Sequence, residues 1–343
     1  MTRENLIKNL QVAIKKNQGL TIEEFFTPWL QFYYQRGEAF GTKGDFITSP
    51  DISPLFGALL MLRIMAETKT SFDKKYHLLE MGGGRGSMML DMLNHCPKDF
   101  LPHLKVSIIE ESDRLMDLQK KRLMKYSNIV WQKNLSAIAM HTVDFIIANE
   151  FFDCLLPRQF FLQDDGWQER VVQYNGKRFV FAKRPIDSIK DMPYPAKKHV
   201  IYEQHISYEK PIADIARVLK NGAMIIIIDY GHDGIYDGDY LQSLYHHQSV
   251  DVFDYLGLAD ISASVAFTEL ALLAKKIFLE KIYFDNQKNF LQNLHGDKIA
   301  EKLIKLGYNK DDIWSGYERL IKSEKPTDMG RLFKIMELKK NLC

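Results

Sequence analysis

Four of the five residues from Gly82 to Gly86 are glycines, and they separate a short apolar stretch from a helical one. Residues 76–80 predict a strand, and residues 87–93 predict a helix that begins at the last glycine. Glycine lets the backbone turn tightly and lets a ligand approach where a Cβ atom would clash. The first turn of the helix offers unpaired N–H groups and a partial positive charge. The segment therefore predicts a strand–loop–helix unit that suits a carboxylate or phosphate ligand.

Strands and helices alternate along the chain after this segment. Apolar stretches predict strands at 105–110, 129–131, 143–148 and 223–229, and helices at 113–125 and 206–219. A helix at 267–274 and candidate strands at 281–284 and 332–336 follow. Strands that alternate with helices predict an α/β fold, with a mostly parallel sheet and helices on both of its faces.

Other stretches depart from this rhythm. Residues 1–40 predict helices, with Thr21 and Glu24 at the spacing of a capping box. A loop at 41–50, an apolar helix at 52–67 and an exposed polar stretch at 69–75 follow. Residues 159–183 are rich in Phe and Val and contain two turn signals, so they predict an inserted β meander. Residues 231–262 are polar and predict loops.

These patterns divide the chain into six consecutive parts. The expected parts are an N-terminal helical cap with its loop (1–70), a first part of the core (71–158), an inserted β meander (159–205), a second part of the core (206–230), a substrate-side insertion (231–275) and the C-terminal core strands and helices (276–343). A chain of 343 residues can bury a large apolar core, so no disulfide or metal is needed for folding.

Charge and cysteine usage exclude several classes of protein. The balance of 46 Lys and Arg against 44 Asp and Glu gives a net charge of +2, so we expect no nucleic-acid partner. The three cysteines, Cys96, Cys154 and Cys343, form no CxxC pair and have no His at zinc spacing, so we expect no metal site. Such a sparse, odd count favours a reducing compartment.

The longest apolar run, residues 223–228, is far shorter than the roughly 20 residues of a membrane helix. The first six residues show no apolar signal core, and Glu4 is atypical of a transit peptide. We therefore expect a cytoplasmic protein without membrane insertion.

The spacing around the glycine loop distinguishes between three kinds of nucleotide site. A phosphate-binding P-loop would need a Lys, and none is present in the loop. A dinucleotide fingerprint would place its third glycine at position 87, which is Ser87. Instead, Glu80 precedes the loop and Glu110 ends the second strand, where a carboxylate can accept both hydroxyls of a ribose. This pattern matches the S-adenosylmethionine (SAM) site of class I methyltransferases; the alternative is a glycine turn with two solvated acids.

The fourth strand leads into two further acids, Glu150 and Asp153, at the edge of the sheet where ligands bind in open α/β folds. Two carboxylates can orient a guanidinium group by bidentate hydrogen bonds and can accept a proton from it. The alternative is a loop with ordinary surface acids. Asp229, at the end of the fifth strand, either reaches the same site or forms a turn with Gly231.

Five motifs occur in a characteristic order. They are Gly44-Asp-Phe-Ile-Thr-Ser-Pro-Asp-Ile-Ser53, the glycine loop, Asn149-Glu-Phe-Phe-Asp153, Ile228-Asp-Tyr-Gly-His232 and Met329-Gly-Arg-Leu-Phe-Lys334. Together they resemble the MidA-like family of SAM-dependent methyltransferases over residues 25–338. Mitochondrial members of that family are assembly factors for respiratory complex I and are associated with arginine methylation of a core subunit.

The resemblance implies a class I methyltransferase fold, which is Rossmann-like with a mostly parallel seven-stranded sheet, an N-terminal helical cap and an inserted β/helical region. It implies SAM as the cofactor, a protein substrate that includes a complex I core subunit, and a homodimer as one possible assembly. Thr48 and Ser49 are implied to lie near the cofactor. The predicted catalytic residues are Glu150 and Asp153, and the predicted cofactor-binding residues are Ser49, Glu80, Gly82, Gly84, Gly86, Glu110, Ser112, Leu135 and Asn149.

The chain departs from the family pattern at several positions. Gly83 stands where the family usually has Pro, which predicts a more flexible loop. Ser264 and Ala266 stand where it usually has His and Asp, so an acid and an imidazole are missing if those positions contact substrate. Two alternatives to a protein arginine methyltransferase therefore stay open: a SAM-binding assembly chaperone with little or no catalysis, and a small-molecule methyltransferase.

Overall fold

The computed structural model describes residues 2–36, 48–68, 74–189, 197–198, 200–234 and 238–341. The predictions for residues 37–47 and 69–73 lie outside this part of the chain. In the first half the elements are α1 (Arg3–Asn17), β1 (Leu20–Thr21), α2 (Ile22–Arg36), α3 (Ser49–Ile52), α4 (Pro54–Glu67), β2 (Tyr76–Met81), α5 (Ser87–Asn94), β3 (Leu104–Ile109), α6 (Asp113–Arg122), β4 (Ile129–Gln132), β5 (Val143–Asn149), β6 (Arg158–Gln163) and β7 (Gly166–Tyr174).

The second half continues with β8 (Phe179–Ile186), β9 (Ile201–Gln204), α7 (Glu209–Val218), β10 (Leu219–His232), β11 (Leu241–Tyr245), β12 (Gln248–Val250), β13 (Asp260–Ala263), β14 (Val265–Ala266), α8 (Phe267–Lys276), β15 (Leu279–Asn286), α9 (Gln287–Asn293), α10 (Gly296–Lys305), α11 (Lys310–Ile321), α12 (Met329–Leu332) and β16 (Phe333–Lys340). None of the helices in the described ranges is long and apolar enough to cross a membrane.

The large sheet has seven strands in the order β15-β16-β10-β5-β2-β3-β4, and β14 adds a short pairing to the end of β10. The strands β10, β5, β2, β3 and β4 are parallel, whereas β16 runs antiparallel to both of its neighbours. The mostly parallel seven-stranded sheet predicted from the sequence is therefore present. Its parallel strands place the residues that follow β2, β3, β5 and β10 at one edge, where ligands bind in open α/β sheets.

Both faces of this sheet are buried, as the apolar run in β10 requires. Ile226 and Ile228 point into the layer formed with α4, α5 and the C-terminal helices α9 to α11. Ile225 and Ile227 point into the opposite layer, which contains α7 and α8. Successive residues of a strand face opposite sides, so a strand covered on both faces must be apolar throughout.

The N-terminal helices pack on a second, five-stranded antiparallel sheet that contains β1, β6, β7, β8 and β9. The predicted meander at 159–183 corresponds to β6, β7 and β8. The predicted capping box also forms: the Glu24 carboxylate accepts a hydrogen bond from the Thr21 N–H at 2.9 Å, and the Thr21 hydroxyl accepts one from the Glu24 N–H at 3.2 Å. This box fixes the start of α2, which continues to the cavity described below.

The prediction of loops at 231–262 is wrong for part of that stretch. The strands β11, β12 and β13 form a small antiparallel sheet. Asp260 and Ser262 are polar residues in β13, yet both are buried, so the strand lacks the apolar alternation that identifies a half-buried strand. The predicted helix at 206–219 is shorter, because a 3-10 turn precedes α7. The six-part division of the chain stays a prediction.

The capping box gives a test of how α2 is held. We expect Thr21→Ala to lower the free energy of unfolding by about 1 kcal/mol, because it leaves an N–H of the first helical turn without its side-chain acceptor. Chemical denaturation monitored by circular dichroism measures the change. Ser315→Ala is the matched control, because it removes an exposed helical hydroxyl that caps nothing and should change stability by less than about 0.5 kcal/mol. Equal effects of the two substitutions would contradict the role of the box.

Candidate active site

The carboxyl ends of the parallel strands open into a cavity of about 650 Å³. The glycine loop and the residues after β3 and β5 line it, and α2 covers one side. Its volume lies in the range of small-molecule sites, about 300–1,000 Å³. Acidic side chains outnumber basic ones: Asp51, Glu80, Glu110, Glu111, Glu150, Asp153 and Asp214 face Arg85, Lys133 and Lys210. A cavity with this charge favours a cationic ligand.

The glycine loop has the backbone conformation that its sequence predicts. Gly82, Gly84 and Gly86 all have positive φ angles, of 68°, 50° and 77°. Residues with a Cβ atom are strained there, so glycine is favoured. Gly82 and Gly84 line the cavity, whereas Gly86 precedes the first residue of α5 and is not among the lining residues.

Glu80 lies near the end of β2, beside the glycine loop, and is only 1% exposed. Its Oε2 atom has no hydrogen-bond partner among the described residues. Burial, followed by the nearby Glu110 carboxylate, raises the pKa of Glu80 to about 8. An unpaired buried carboxylate is costly, so a positively charged group from a ligand would stabilise it. The ammonium group of SAM fits this position.

Glu110 follows β3 and uses both carboxylate oxygens. Oε1 accepts a hydrogen bond from the Ser112 N–H at 3.0 Å, and Oε2 accepts one from Gln119 Nε2, also at 3.0 Å. Burial raises the pKa of Glu110, although the hydrogen bonds from Ser112 and Gln119 oppose the rise. Each oxygen still has a lone pair for a further donor, as a ribose diol requires. The Ser112 hydroxyl donates to the Tyr34 carbonyl oxygen at 3.1 Å and so ties α2 to this wall.

Asn149 ends β5, and Glu150 follows it at the same edge of the sheet. The Asn149 amide donates to Glu150 Oε1 at 3.1 Å, while the buried Oδ1 atom of Asn149 has no partner in the described part of the chain. Glu150 has a φ angle of 48°, which is unusual for a residue with a Cβ atom, and its N–H donates to the Ile228 carbonyl oxygen at 2.8 Å. Strained backbone of this kind clusters at functional sites.

The charge state of Glu150 depends on its surroundings. Burial and then the Asp153 carboxylate raise its pKa to about 8, while hydrogen bonds from Asn149 and from the Ser49 backbone oppose the rise. The Ser49 hydroxyl points elsewhere and donates to Gln287 Oε1 at 3.1 Å. Ser49 is fully buried and is not among the residues that line the cavity, whereas Thr48 is.

Asp153 is held by two partners from β10. The Tyr230 hydroxyl donates to Asp153 Oδ2 at 2.9 Å, and Oδ1 has no partner within the described residues. Burial raises the pKa of Asp153. Asp229 Oδ2 accepts hydrogen bonds from the backbone N–H groups of Phe152 and Asp153 at 3.0 and 3.2 Å. Asp229 is not a lining residue, and it lies with Gly231 inside β10, so it neither lines the cavity nor forms a turn with Gly231 as the two sequence-based interpretations had it.

Nine of the predicted site residues meet at the cavity: Glu80, Gly82, Gly84, Glu110, Ser112, Leu135, Asn149, Glu150 and Asp153. Ser49 and Gly86 lie behind its wall. Ser264 and Ala266, the two departures from the family pattern, are not among the lining residues either. The sequence gives no local signal for Gln119, which lies on a polar helix, and for Tyr34 the only signal is an aromatic run at 32–34.

The strand order, the glycine loop after the first strand of the large sheet and the acids after its neighbours define a class I SAM-dependent methyltransferase. The family of S-adenosyl-L-methionine-dependent methyltransferases matches residues 58–283, and the chain belongs to this family. The unpaired Glu80 oxygen and the acidic cavity fit its cofactor, which is SAM. No group of three or more potential metal-ligating side chains occurs within the described ranges.

Curated relatives cover nearly the whole chain. A mitochondrial homologue of protein arginine methyltransferase NDUFAF7 from Caenorhabditis elegans is 29% identical over 97% of this chain and 86% of its own length. The human mitochondrial protein arginine methyltransferase NDUFAF7 is 27% identical over 97% of this chain and 83% of its own length. These relatives contradict the predicted cytoplasmic location. That prediction was wrong because a low cysteine count reflects the redox state of a compartment and does not identify the compartment.

A solved structure confirms the predicted fold. A methyltransferase-like protein from Burkholderia thailandensis, determined with bound S-adenosyl-homocysteine, superposes on this chain with a TM-score of 0.84. The two are 22% identical, and the match covers 98% of this chain and 92% of the other. The class I methyltransferase fold is therefore shown by both the strand order and the superposition.

The position of Glu110 leads to a binding prediction. We expect Glu110→Ala to weaken SAM binding about tenfold to a hundredfold, because its hydrogen bonds to the ribose hydroxyls together contribute about 1.5–3 kcal/mol. Calorimetric titration with SAM measures the change. Asp117→Ala, which removes an exposed carboxylate from α6, is the control and should leave the affinity unchanged. Undiminished SAM affinity in Glu110→Ala would exclude Glu110 from the site.

Proposed function

We propose that this chain methylates an arginine side chain of a protein, and that the substrate is a core subunit of respiratory complex I. Curated relatives named as protein arginine methyltransferases support the arginine part of the proposal. The resemblance to the MidA-like family supports the complex I part. The observation that carries the proposal is the pair of acids, Glu150 and Asp153, on the wall of the cavity.

Two carboxyl groups at this position suit a guanidinium group. Asn149 and the Ser49 backbone donate to the Glu150 carboxylate, and Tyr230 donates to Asp153 Oδ2, which leaves each carboxylate lone pairs for a ligand. A guanidinium group is planar and donates pairs of parallel hydrogen bonds to carboxylates. Burial raises the pKa of both acids, the Asp153 carboxylate raises the pKa of Glu150 further, and a cation between the two acids would offset these effects.

We assign the cofactor contacts to the opposite part of the cavity. Glu80 is proposed to contact the ammonium group and Glu110 the ribose hydroxyls, with Gly82 and Gly84 allowing the close approach of the methionine part. Ser112, Leu135 and Asn149 are proposed to complete this wall. Ser49 and Gly86 are proposed to act indirectly, Ser49 through its backbone hydrogen bond to Glu150 and Gly86 by starting α5.

The proposed chemistry needs little from the protein beyond positioning and proton transfer. The bound cofactor supplies a methyl group on a positively charged sulfur. Glu150 and Asp153 orient the guanidinium group so that one nitrogen faces that methyl group in line with the bond that breaks. Glu150 accepts the proton that this nitrogen loses, because a carboxylate with a pKa of about 8 is a stronger base than an ordinary one. Asp229 and Tyr230 keep Asp153 in place.

The substrate class can be tested with SAM that carries a deuterated methyl group. The purified protein is incubated with peptides from complex I core subunits, with versions in which each Arg is replaced by Lys, and with a small-molecule extract. Mass spectrometry should find the label on arginine in the unaltered peptides only. Label in the small-molecule fraction alone would favour a small-molecule methyltransferase, and tight SAM binding without any labelled product would favour an assembly chaperone.

The role of Glu150 can be separated from cofactor binding. We expect Glu150→Gln to lower the rate of methyl transfer about a hundredfold to ten-thousandfold, because it removes the proton acceptor. SAM affinity should stay within about twofold of the original value. Asp144→Asn makes the same chemical change at the other end of β5, where Asp144 pairs with Lys220, and should leave transfer unaffected. Full transfer activity in Glu150→Gln would remove Glu150 from the mechanism.

A proton acceptor with a raised pKa also predicts a pH profile. Glu150 must be ionised to accept a proton, so at saturating SAM the kcat/KM for peptide should rise with pH up to about 8 and then level off. A bound guanidinium group favours the ionised form, so the kcat profile should rise at lower pH than the kcat/KM profile. Initial rates between pH 6 and 9 measure both curves. The same rise in Glu150→Gln would assign the profile to another group.

A further inference from the structure

Gln119 is a fully buried residue of α6, and its side chain connects three other elements beside the cavity. Its Nε2 atom donates to the Gly84 carbonyl oxygen at 2.8 Å and to Glu110 Oε2 at 3.0 Å. Its Oε1 atom accepts a hydrogen bond from the Trp131 indole N–H at 3.0 Å. Residues from the glycine loop, the end of β3 and β4 therefore meet at one side chain.

The partners of this amide determine its orientation. An indole N–H can only donate, so it must face the amide oxygen. A backbone carbonyl and a carboxylate can only accept, so they must face the NH₂ group, which has two hydrogens for two acceptors. All the hydrogen-bonding capacity of the NH₂ group is used within the protein, and the side chain cannot rotate without breaking three hydrogen bonds. The bridge is therefore rigid.

The glycine loop leaves room for the Gln119 side chain. A Cβ atom at Gly83 would lie 2.8 Å from Ile108 Cγ2 and 3.0 Å from Gln119 Nε2, both closer than ordinary contacts. A Cβ atom at Gly86 would lie 3.3 Å from Gln119 Cγ. The glycine at position 83 thus makes space for Gln119, and the flexibility of the loop stays a prediction.

We propose that Gln119 is a positioning residue for the cofactor, because its amide holds the glycine loop and the Glu110 carboxylate at a fixed separation. The proposal rests on the assignment of Glu110 to the ribose hydroxyls. A fixed separation places the carboxylate for the ribose and the glycine loop for the methionine part before the cofactor binds, so that less ordering is needed on binding. The amide also donates to Glu110 and favours its ionised form.

Several charges act on Glu110 besides this amide. Burial raises its pKa and Glu111 adds to the rise, while the Ser112 N–H, Gln119 and Lys133 oppose it. Glu80 also lies close enough for Glu110 to raise its pKa. Loss of the Gln119 donor would leave burial less opposed, so Glu110 would become protonated at a higher pH. A protonated carboxyl group is a poor acceptor for the ribose hydroxyls. As the pH is lowered, ligand affinity would therefore begin to fall at a higher pH than in the original protein.

The test uses 5′-methylthioadenosine, which has the ribose of SAM and lacks the ammonium group that would involve Glu80. Its affinity is measured by titration between pH 5 and 9 for the original protein and for three variants. Gln119→Met removes the bridge at similar side-chain volume. Gln159→Met is the matched control, because Gln159 is a fully buried glutamine whose amide bonds with Glu203, Asp239 and Arg170 away from the cavity. Glu110→Gln identifies the part of the profile that belongs to Glu110.

We expect Gln119→Met to bind the nucleoside about tenfold more weakly. As the pH is lowered, its affinity should begin to fall at a higher pH than that of the original protein. Gln159→Met should lower thermal stability and leave both the affinity and the pH profile unchanged. Glu110→Gln should bind weakly and should lack the part of the pH profile that belongs to Glu110. A purely structural role of Gln119 predicts lower stability without a shift in the pH profile.

Two outcomes would overturn the proposal, and only one of them would also overturn the assignment of Glu110 to the ribose hydroxyls. An unshifted profile in Gln119→Met, together with weak binding by Glu110→Gln, would remove Gln119 from the site and leave the assignment of Glu110 intact. Undiminished binding by Glu110→Gln would exclude both Gln119 and Glu110 from the cofactor site. If Gln119→Met does not fold, Gln119→Leu replaces it, because it removes the same amide with a side chain of high helix propensity. The same upward shift of the profile is then expected, and an unchanged profile would reject the proposal.

Discussion

Carboxyl groups buried at one edge of the large sheet are the constraint on which the site depends. Five parallel strands end there, and Glu80, Glu110, Glu150 and Asp153 lie near or just after the ends of three of them. Burial raises the pKa of each, and repulsion between neighbours contributes in the case of Glu80 and Glu150. The protein can keep such groups only because backbone and side-chain donors hold some of their oxygens. The remaining oxygens are left for positively charged ligands.

The supporting contacts come from distant parts of the chain, which explains why so large a fold surrounds a small site. The Asp229 carboxylate fixes the turn that contains Asp153, and the Tyr34 carbonyl oxygen on α2 accepts a hydrogen bond from Ser112. The backbone of Ser49 supports Glu150. A carboxylate held by contacts of this kind keeps its position as ligands bind and leave, because few of its rotamers are accessible.

Much of the fold could be predicted because its signals are local. The apolar run in β10, the glycine loop and the Thr21 capping box each specify one element without reference to the rest of the chain. The acids at strand ends could be predicted because parallel strands bring their carboxyl ends to one edge. The small sheet of β11 to β13 could not, since the burial of Asp260 and Ser262 depends on tertiary contacts. Gln119 was missed for the same reason: its partners lie in three other elements.

The backbone of Glu150 has a consequence for the evolution and engineering of this chain. Its φ angle of 48° lies in the left-handed region, where a residue with a Cβ atom costs on the order of 1 kcal/mol or more relative to glycine. Stability alone would favour glycine here, and methyl transfer as proposed requires a carboxylate. Position 150 is thus a point of conflict between thermostability and activity. Selection of variants for heat resistance, without a screen for catalysis, would tend to enrich glycine at this position and so discard the function while improving the fold.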